Sequence, residues 1–171
     1  TPFSNAIGHG NVFVSGLQAQ NAYPYFDNRN TAFNAEDDTW RTRNNNDVNQ
    51  LQGLATWSMN GLDVLHSQIL RKQGIPGHII IPTPDIRLQS TRQLTGIHSA
   101  ESKERWSHDS TAWWNTQSET LQDPLGNLGQ GAINQQWMFR MVGGKTFHRW
   151  VITDKWFPST GMVIRHDQAQ L

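Results

Sequence analysis

With 171 residues and a mass of 19.5 kDa, the chain is long enough for a single domain spanning 1–171, with 1–50 as an extended N-terminal arm. Its Lys and Arg number 14 and its Asp and Glu number 14, so nucleic acid is not the expected main partner, nor a membrane surface held through basic residues. The absence of cysteine excludes a disulfide scaffold, a thiolate metal site and a cysteine nucleophile.

No apolar run approaches the length of a membrane-spanning helix. Thr1-Pro2-Phe3 has the form of neither a signal nor a transit peptide. The expected location is therefore a virion or the extracellular space, without a membrane span. Uncharged polarity is the unusual feature: 14 Asn and 15 Gln, with ten Arg to four Lys and ten Asp to four Glu. Such a low-charge, amide-rich surface suits hydrogen-bonded contact with copies of itself or with a polar ligand. No Asn-x-Ser/Thr sequon occurs.

In chain order, Asn11-Val12-Phe13-Val14 reads as a short strand ending at Gly16. Residues 21–49 are rich in Asn, Asp and Arg and are dotted with Tyr23, Tyr25, Phe26, Phe33 and Trp40, as in an ordered arm. The spacing predicts a helix over 61–73: Asn60 as N-cap, Leu62, Leu65 and Ile69 as an apolar stripe, Arg71 and Lys72 in the last turn, and Gly74 as the stop. A preceding helix over 48–59 is weakened by Gly53 and Gly61. Residues 77–88 open as a buried strand that Pro82 and Pro84 then bend. Short helices are expected over 100–106 and 111–121, and a loop over 122–131.

The strongest local pattern lies in the last third. Gly143-Gly144 between two β-like runs predicts a two-residue hairpin, with Trp137 opposite Trp150, Phe139 opposite His148 and Arg140 opposite Phe147. A third strand follows over 161–166. The fold expectation is thus mainly β, an antiparallel β-sandwich or jelly-roll-like barrel with one or two short helices. The alternative is an α+β layer with helix 61–73 on the C-terminal meander.

Chemistry-bearing residues are scattered. The seven histidines show no His-x-His and no His-Glu-x-x-His, so no metal site is expected and no cofactor is implied. A divalent-metal hydrolase would need convergence among His78, His98, His108, His148, Asp85 and Asp109. Thr1 lacks the other members of an N-terminal nucleophile site, and no phosphate loop or nucleophile elbow occurs. No catalytic residue is therefore assigned, and the chain leans away from an enzyme. The hairpin face Arg140, Phe147 and Arg149 imitates a single-strand nucleic-acid platform, but no basic run supports it.

Six of the eight Trp fall in the C-terminal half. Indoles anchor interfaces and also stack on sugar rings. Trp113 and Trp114, adjacent in sequence, cannot both point inward from one strand. The leading expectation is a self-assembling structural protein, a capsid, cement or tail component of a virus or phage, whose partners are copies of itself or other structural subunits. Its interface residues would be Tyr23, Tyr25, Phe26, Trp40, Trp113 and Trp114. The alternatives are a carbohydrate-binding, lectin-like module and, third, the metal-dependent hydrolase.

Overall fold

The computed structural model describes residues 8–28, 33, 35–36, 38–76, 85–126, 128–129 and 131–171. Thr1, His78 and the Pro82–Pro84 bend lie outside them. The described residues form strands and no helix. They are β1 (His9–Ala19), β2 (Tyr23–Asp27), β3 (Thr39–Arg43), β4 (Val48–Met59), β5 (Leu62–Gly74), β6 (Arg87–Lys103), β7 (Trp106–Asp123), β8 (Ile133–Trp150) and β9 (Ser159–Gln170). Seven make one antiparallel sheet in the order β1-β4-β5-β6-β7-β8-β9, and β2 pairs with β3 in a small second sheet. The chain is therefore mainly β and antiparallel, with a C-terminal meander. The expected short helices are absent from the described residues, and the α+β alternative falls with them.

The segment read as helix 61–73 is β5, and its supposed N-cap is a turn residue. Asn60 and Gly61 have φ of 50° and 77°, the two positive angles of a type I′ hairpin turn. Leu62 lies on one face of β5, and Leu65 and Ile69 on the other, so the apparent helical stripe is divided between faces. Residues 48–59, 100–103 and 106–121 are likewise strand, with 48–58 and 106–121 paired on both sides and 100–103 paired with β7. Their Thr, Trp, Val and Ile content fits a pleated surface.

Gly143-Gly144 is not a turn. β8 runs straight through it, with Gly143 opposite both Trp113 and Arg165. A Cβ at Gly143 would sit 2.5 Å from the Trp113 ring, so the missing side chain makes room for the indole. The expected hairpin pairs are replaced: Trp137 faces Glu119, Phe139 faces Gln117, Arg140 faces Thr116, His148 faces His108 and Trp150 faces Trp106. The expected third strand is present as β9, after Pro158.

Connections differ at the two ends of the large sheet. At one end β4–β5 and β6–β7 turn on residues 60–61 and 104–105, and β8–β9 on 151–158. At the other end the chain travels through 20–47, 75–86 and 124–132. Among the described residues, only those at this second end are buried. Ile86 is the one buried hydrophobic residue among those described. Beside it the Asn45 side-chain amide donates to the Ile75 and Ile86 carbonyls, at 2.9 Å each. Gly74 lies so close to Asn45 that a Cβ there would collide with it. Arg87 donates to both oxygens of Asp47 at 2.6 and 2.7 Å, and the Gly74 N–H donates to the Asp47 carbonyl at 2.9 Å.

Elsewhere the described sheet is a single layer, and among the described elements each strand packs only on its hydrogen-bonded neighbours. The accessible surface is 12701 Å², against about 8,500 Å² for a compact monomer of this mass. Among the described residues no helix is long and apolar enough to cross a membrane.

Candidate functional site

Register decides which side chains share a face, because directly paired residues project to the same side. On the first face, the level Gly10–Trp57–Val64–Ile97–Ala112–Gly144–Ile164 crosses all seven strands without a charged, hydroxyl or amide side chain. Its neighbours toward the long connections are Val12, Ala55, His66, Thr95, Trp114, Val142 and His166. The second face carries Phe13, Leu54 and Leu94 at the same height, interspersed with charge: Asp63, Lys145, Arg165 and Asp167.

Toward the short turns the first face ends in a block of four rings. Trp106 stacks on His108 at 5.6 Å, His108 on His148 at 6.0 Å and His148 on Trp150 at 5.9 Å. Lys103 Nζ sits 5.1 Å from the Trp106 ring centre and 2.9 Å from Glu101. This block is a mirrored pattern in the sequence, Trp106-x-His108 against His148-x-Trp150. Residues i and i+2 share a strand face, so antiparallel pairing of the two triplets brings all four rings together. The sequence reading missed it because its register through Gly143-Gly144 placed these residues with Trp137 and Phe139.

On the second face His98 bridges two carboxylates. Its Nε2 is 2.9 Å from Asp109 Oδ2 and its Nδ1 is 3.4 Å from Asp63 Oδ2. Asp63 is the direct cross-strand partner of His98, and Asp109 the diagonal one. Of the described residues considered for a hydrolase, His98 meets Asp109 and His108 meets His148, as two separate pairs. His108 and His148 stand on the opposite face within the ring stack, and Asp85 lies beyond the start of β6. Asp63 was not anticipated, since only the register places it. With both ring nitrogens held by carboxylates, His98 has none left to take a proton from a nucleophile. Among the described residues no group of three or more His, Asp or Glu is placed to hold a metal ion.

The six expected interface residues fall in three places. Tyr23, Tyr25 and Phe26 lie on β2 and Trp40 on β3. Phe26 and Trp40 meet edge to face at 5.6 Å, with 53% and 71% of their surface exposed. Arg41 pairs with the buried Asp27 at 3.0 Å and holds this small sheet together. Trp113 and Trp114 project to opposite faces of β7, as adjacent strand residues must. Trp113 lies over Gly143, whereas Trp114 is exposed on the first face beside Arg140, Val142 and His166. The sequence matches no protein-family model and no curated protein.

Proposed function

We propose that the chain is a structural wall, a one-layer antiparallel sheet whose folded state is completed within a larger assembly. The observation that supports this is the near absence of a core among the described residues. Apolar side chains such as Val12, Val14, Trp114, Met162 and Val163 are more than half exposed, and among the described residues both sheet edges, β1 and β9, are open. Open edges and exposed apolar faces are liabilities in a free monomer and attachment surfaces in an assembly.

The partners are copies of the chain or other structural subunits. Topology restricts how they join. Six antiparallel steps separate β1 from β9, so the two edges run in the same direction. A copy placed by simple rotation would pair its β1 with β9 in parallel. A copy related by a twofold would pair β9 with β9, or β1 with β1, antiparallel. A capsid, cement or tail component, in a virion or outside the cell, is the setting that the amide-rich, low-charge composition favours. The carbohydrate-binding alternative rests on exposed Trp114, with Arg140 and Gln168 beside it.

Solution mass and negative-stain imaging of the purified chain over a range of concentrations test the proposal. Defined oligomers or particles are the expected result, and Trp114→Ala should weaken association by about 2 kcal/mol, the scale of an aromatic anchor, while the far-UV spectrum is unchanged. A folded monomer at high concentration would overturn it.

A further inference from the structure

We infer that the first face of the seven-stranded sheet packs against the hydrocarbon of a lipid bilayer and the second face lines a polar interior, so that the sheet is part of the wall of a membrane-spanning β-barrel. This rests on the structural-wall reading and names what covers one face of the wall. Five features of the molecule carry it.

The first is charge. At the levels of Ser99, Ile97 and Thr95 the first face has no Asp, Glu, Lys or Arg on any of the seven strands, while the interleaved levels of His98, Gly96 and Leu94 on the second face carry Asp63, Lys145, Arg165 and Asp167. Alternation of uncharged and charged faces at one height is the pattern that lipid on one side and water on the other impose.

Height is the second. On β7 and β8 the first face is uncharged from the Trp106–Trp150 pair to the Thr116–Arg140 pair, ten residues along each strand. Ten residues span about 33 Å of strand, or about 25 Å across the membrane at the usual tilt of about 40°. That is the thickness of the apolar belt of such barrels. Arg140 then falls at the boundary, where a cation is tolerated, and not at the midplane, where it is costly. On β6, Glu101 lies opposite His108, two residues inside the other boundary, and is paired with Lys103 at that boundary.

Third, the boundary at the short turns is aromatic. Trp106 and Trp150 flank the histidine pair, and Trp156 and Phe157 are exposed on the adjoining connection. Indole rings with a cation beside them are the side chains that settle at a membrane–water interface.

Fourth, the hydroxyl and imidazole groups within the band, His166 apart, are hydrogen-bonded to one another. Ser110 and Thr146 are 2.8 Å apart, Thr146 and His148 3.1 Å, His66 and Thr95 3.0 Å, and Ser99 and His108 3.4 Å. Hydrocarbon offers no replacement partner for any of them.

The fifth is the asymmetry of the ends. Turns at 60–61 and 104–105 lie on the aromatic side together with the longer connection 151–158, and the strand ends joined through 20–47, 75–86 and 124–132 lie on the other. Short turns at one mouth and long loops at the other are characteristic of these barrels. The same asymmetry argues against closure by an inverted twofold copy, which would mix the two mouths. Because β1 and β9 run in the same direction, an odd number of further strands closes the wall with every neighbour antiparallel. The absence of a long apolar run bears on helices alone, since a spanning strand needs only alternate apolar positions.

The experiment uses the whole chain, which has no cysteine, so a single introduced thiol reports one position. Ile97→Cys, Ala112→Cys and Ile164→Cys on the first face, and Thr111→Cys, Lys145→Cys and Val163→Cys on the second, are each labelled with an environment-sensitive fluorophore. Each is diluted from urea into phosphatidylcholine vesicles with or without nitroxide on the acyl chains. The expected result is blue-shifted emission and several-fold stronger nitroxide quenching at the first-face positions, with aqueous iodide quenching the second-face positions instead. Equal quenching on both faces, or none from lipid, would overturn the inference. The same variants without lipid separate it from the reading beneath it. Protection of first-face labels in particles of defined mass, with no lipid quenching, would overturn the bilayer and leave the structural wall standing. A folded monomer with every label exposed in both media would overturn both.

Discussion

The two ends of the large sheet are built on opposite principles. Where the long connections gather, Ile86 is sealed by the Asn45 amide, the close approach of Gly74 and the Asp47–Arg87 pair. At the short turns, Trp106, His108, His148 and Trp150 lie in a stack on the open face, with 42% of Trp150 exposed. The first end supplies its own burial. The second offers apolar surface that only something outside the described chain can cover. Stability measured in water should therefore respond to changes at the first end and be nearly indifferent to changes at the second.

The largest effect is expected at Gly74. In Gly74→Val the new side chain meets the Asn45 backbone and amide, and forced overpacking of this kind costs up to about 3 kcal/mol. The urea unfolding midpoint should fall accordingly. A midpoint equal to that of the parent would mean that the Asn45 latch does not hold the fold.

Next is Gly143→Val, whose side chain enters the space of the Trp113 ring, with an expected loss of about 2 kcal/mol. Adding Trp113→Val should recover part of that loss, since the two changes share one contact and are not additive. Additive losses in a double-mutant cycle would mean that Gly143 serves the backbone and not the indole.

Trp150→Ala belongs to the other end. The stack is exposed, so the loss in water should be under about 1 kcal/mol, at the low end for aromatic pairs. Its effect should appear instead as weaker partition into phosphatidylcholine vesicles, measured by cosedimentation. The opposite result, a large stability loss with unchanged partition, would erase the distinction between the two ends.

The smallest effect is expected from Asp109→Asn. The Asp109–His98 pair lies in solvent on the second face, and exposed ion pairs contribute little. The unfolding midpoint should stay within the scatter of the parent.

How much of this was legible in the sequence varies with the reach of each signal. The antiparallel character of the C-terminal third and the strand after Pro158 were readable, because β-propensity and turn residues act over a few positions. Asn60-Gly61 was visible but ambiguous. Asn caps a helix as readily as it opens a type I′ turn, and Leu62, Leu65 and Ile69 satisfied a helical stripe. Pairing of β5 with both β4 and β6 decided between them. Gly143-Gly144 had the composition of a turn and became the middle of a strand, because Trp113 across the ladder needed the space. The His98–Asp109 contact joins residues on neighbouring strands, and Asp63 enters only through the register of β5 with β6. The mirrored Trp-x-His and His-x-Trp triplets were legible, but their meaning depended on the partner strand.

What the sequence determined by itself was local: extended segments, the absence of cysteine chemistry and the balance of charge. These follow from side-chain volume, branching and ionisation, which each residue carries into any fold. Tertiary structure decided the register, and with it the assignment of every side chain to one face or the other. A slip of one residue exchanges the two faces completely, so the uncharged face, the ring stack and the His98 bridge exist only once all seven strands are aligned.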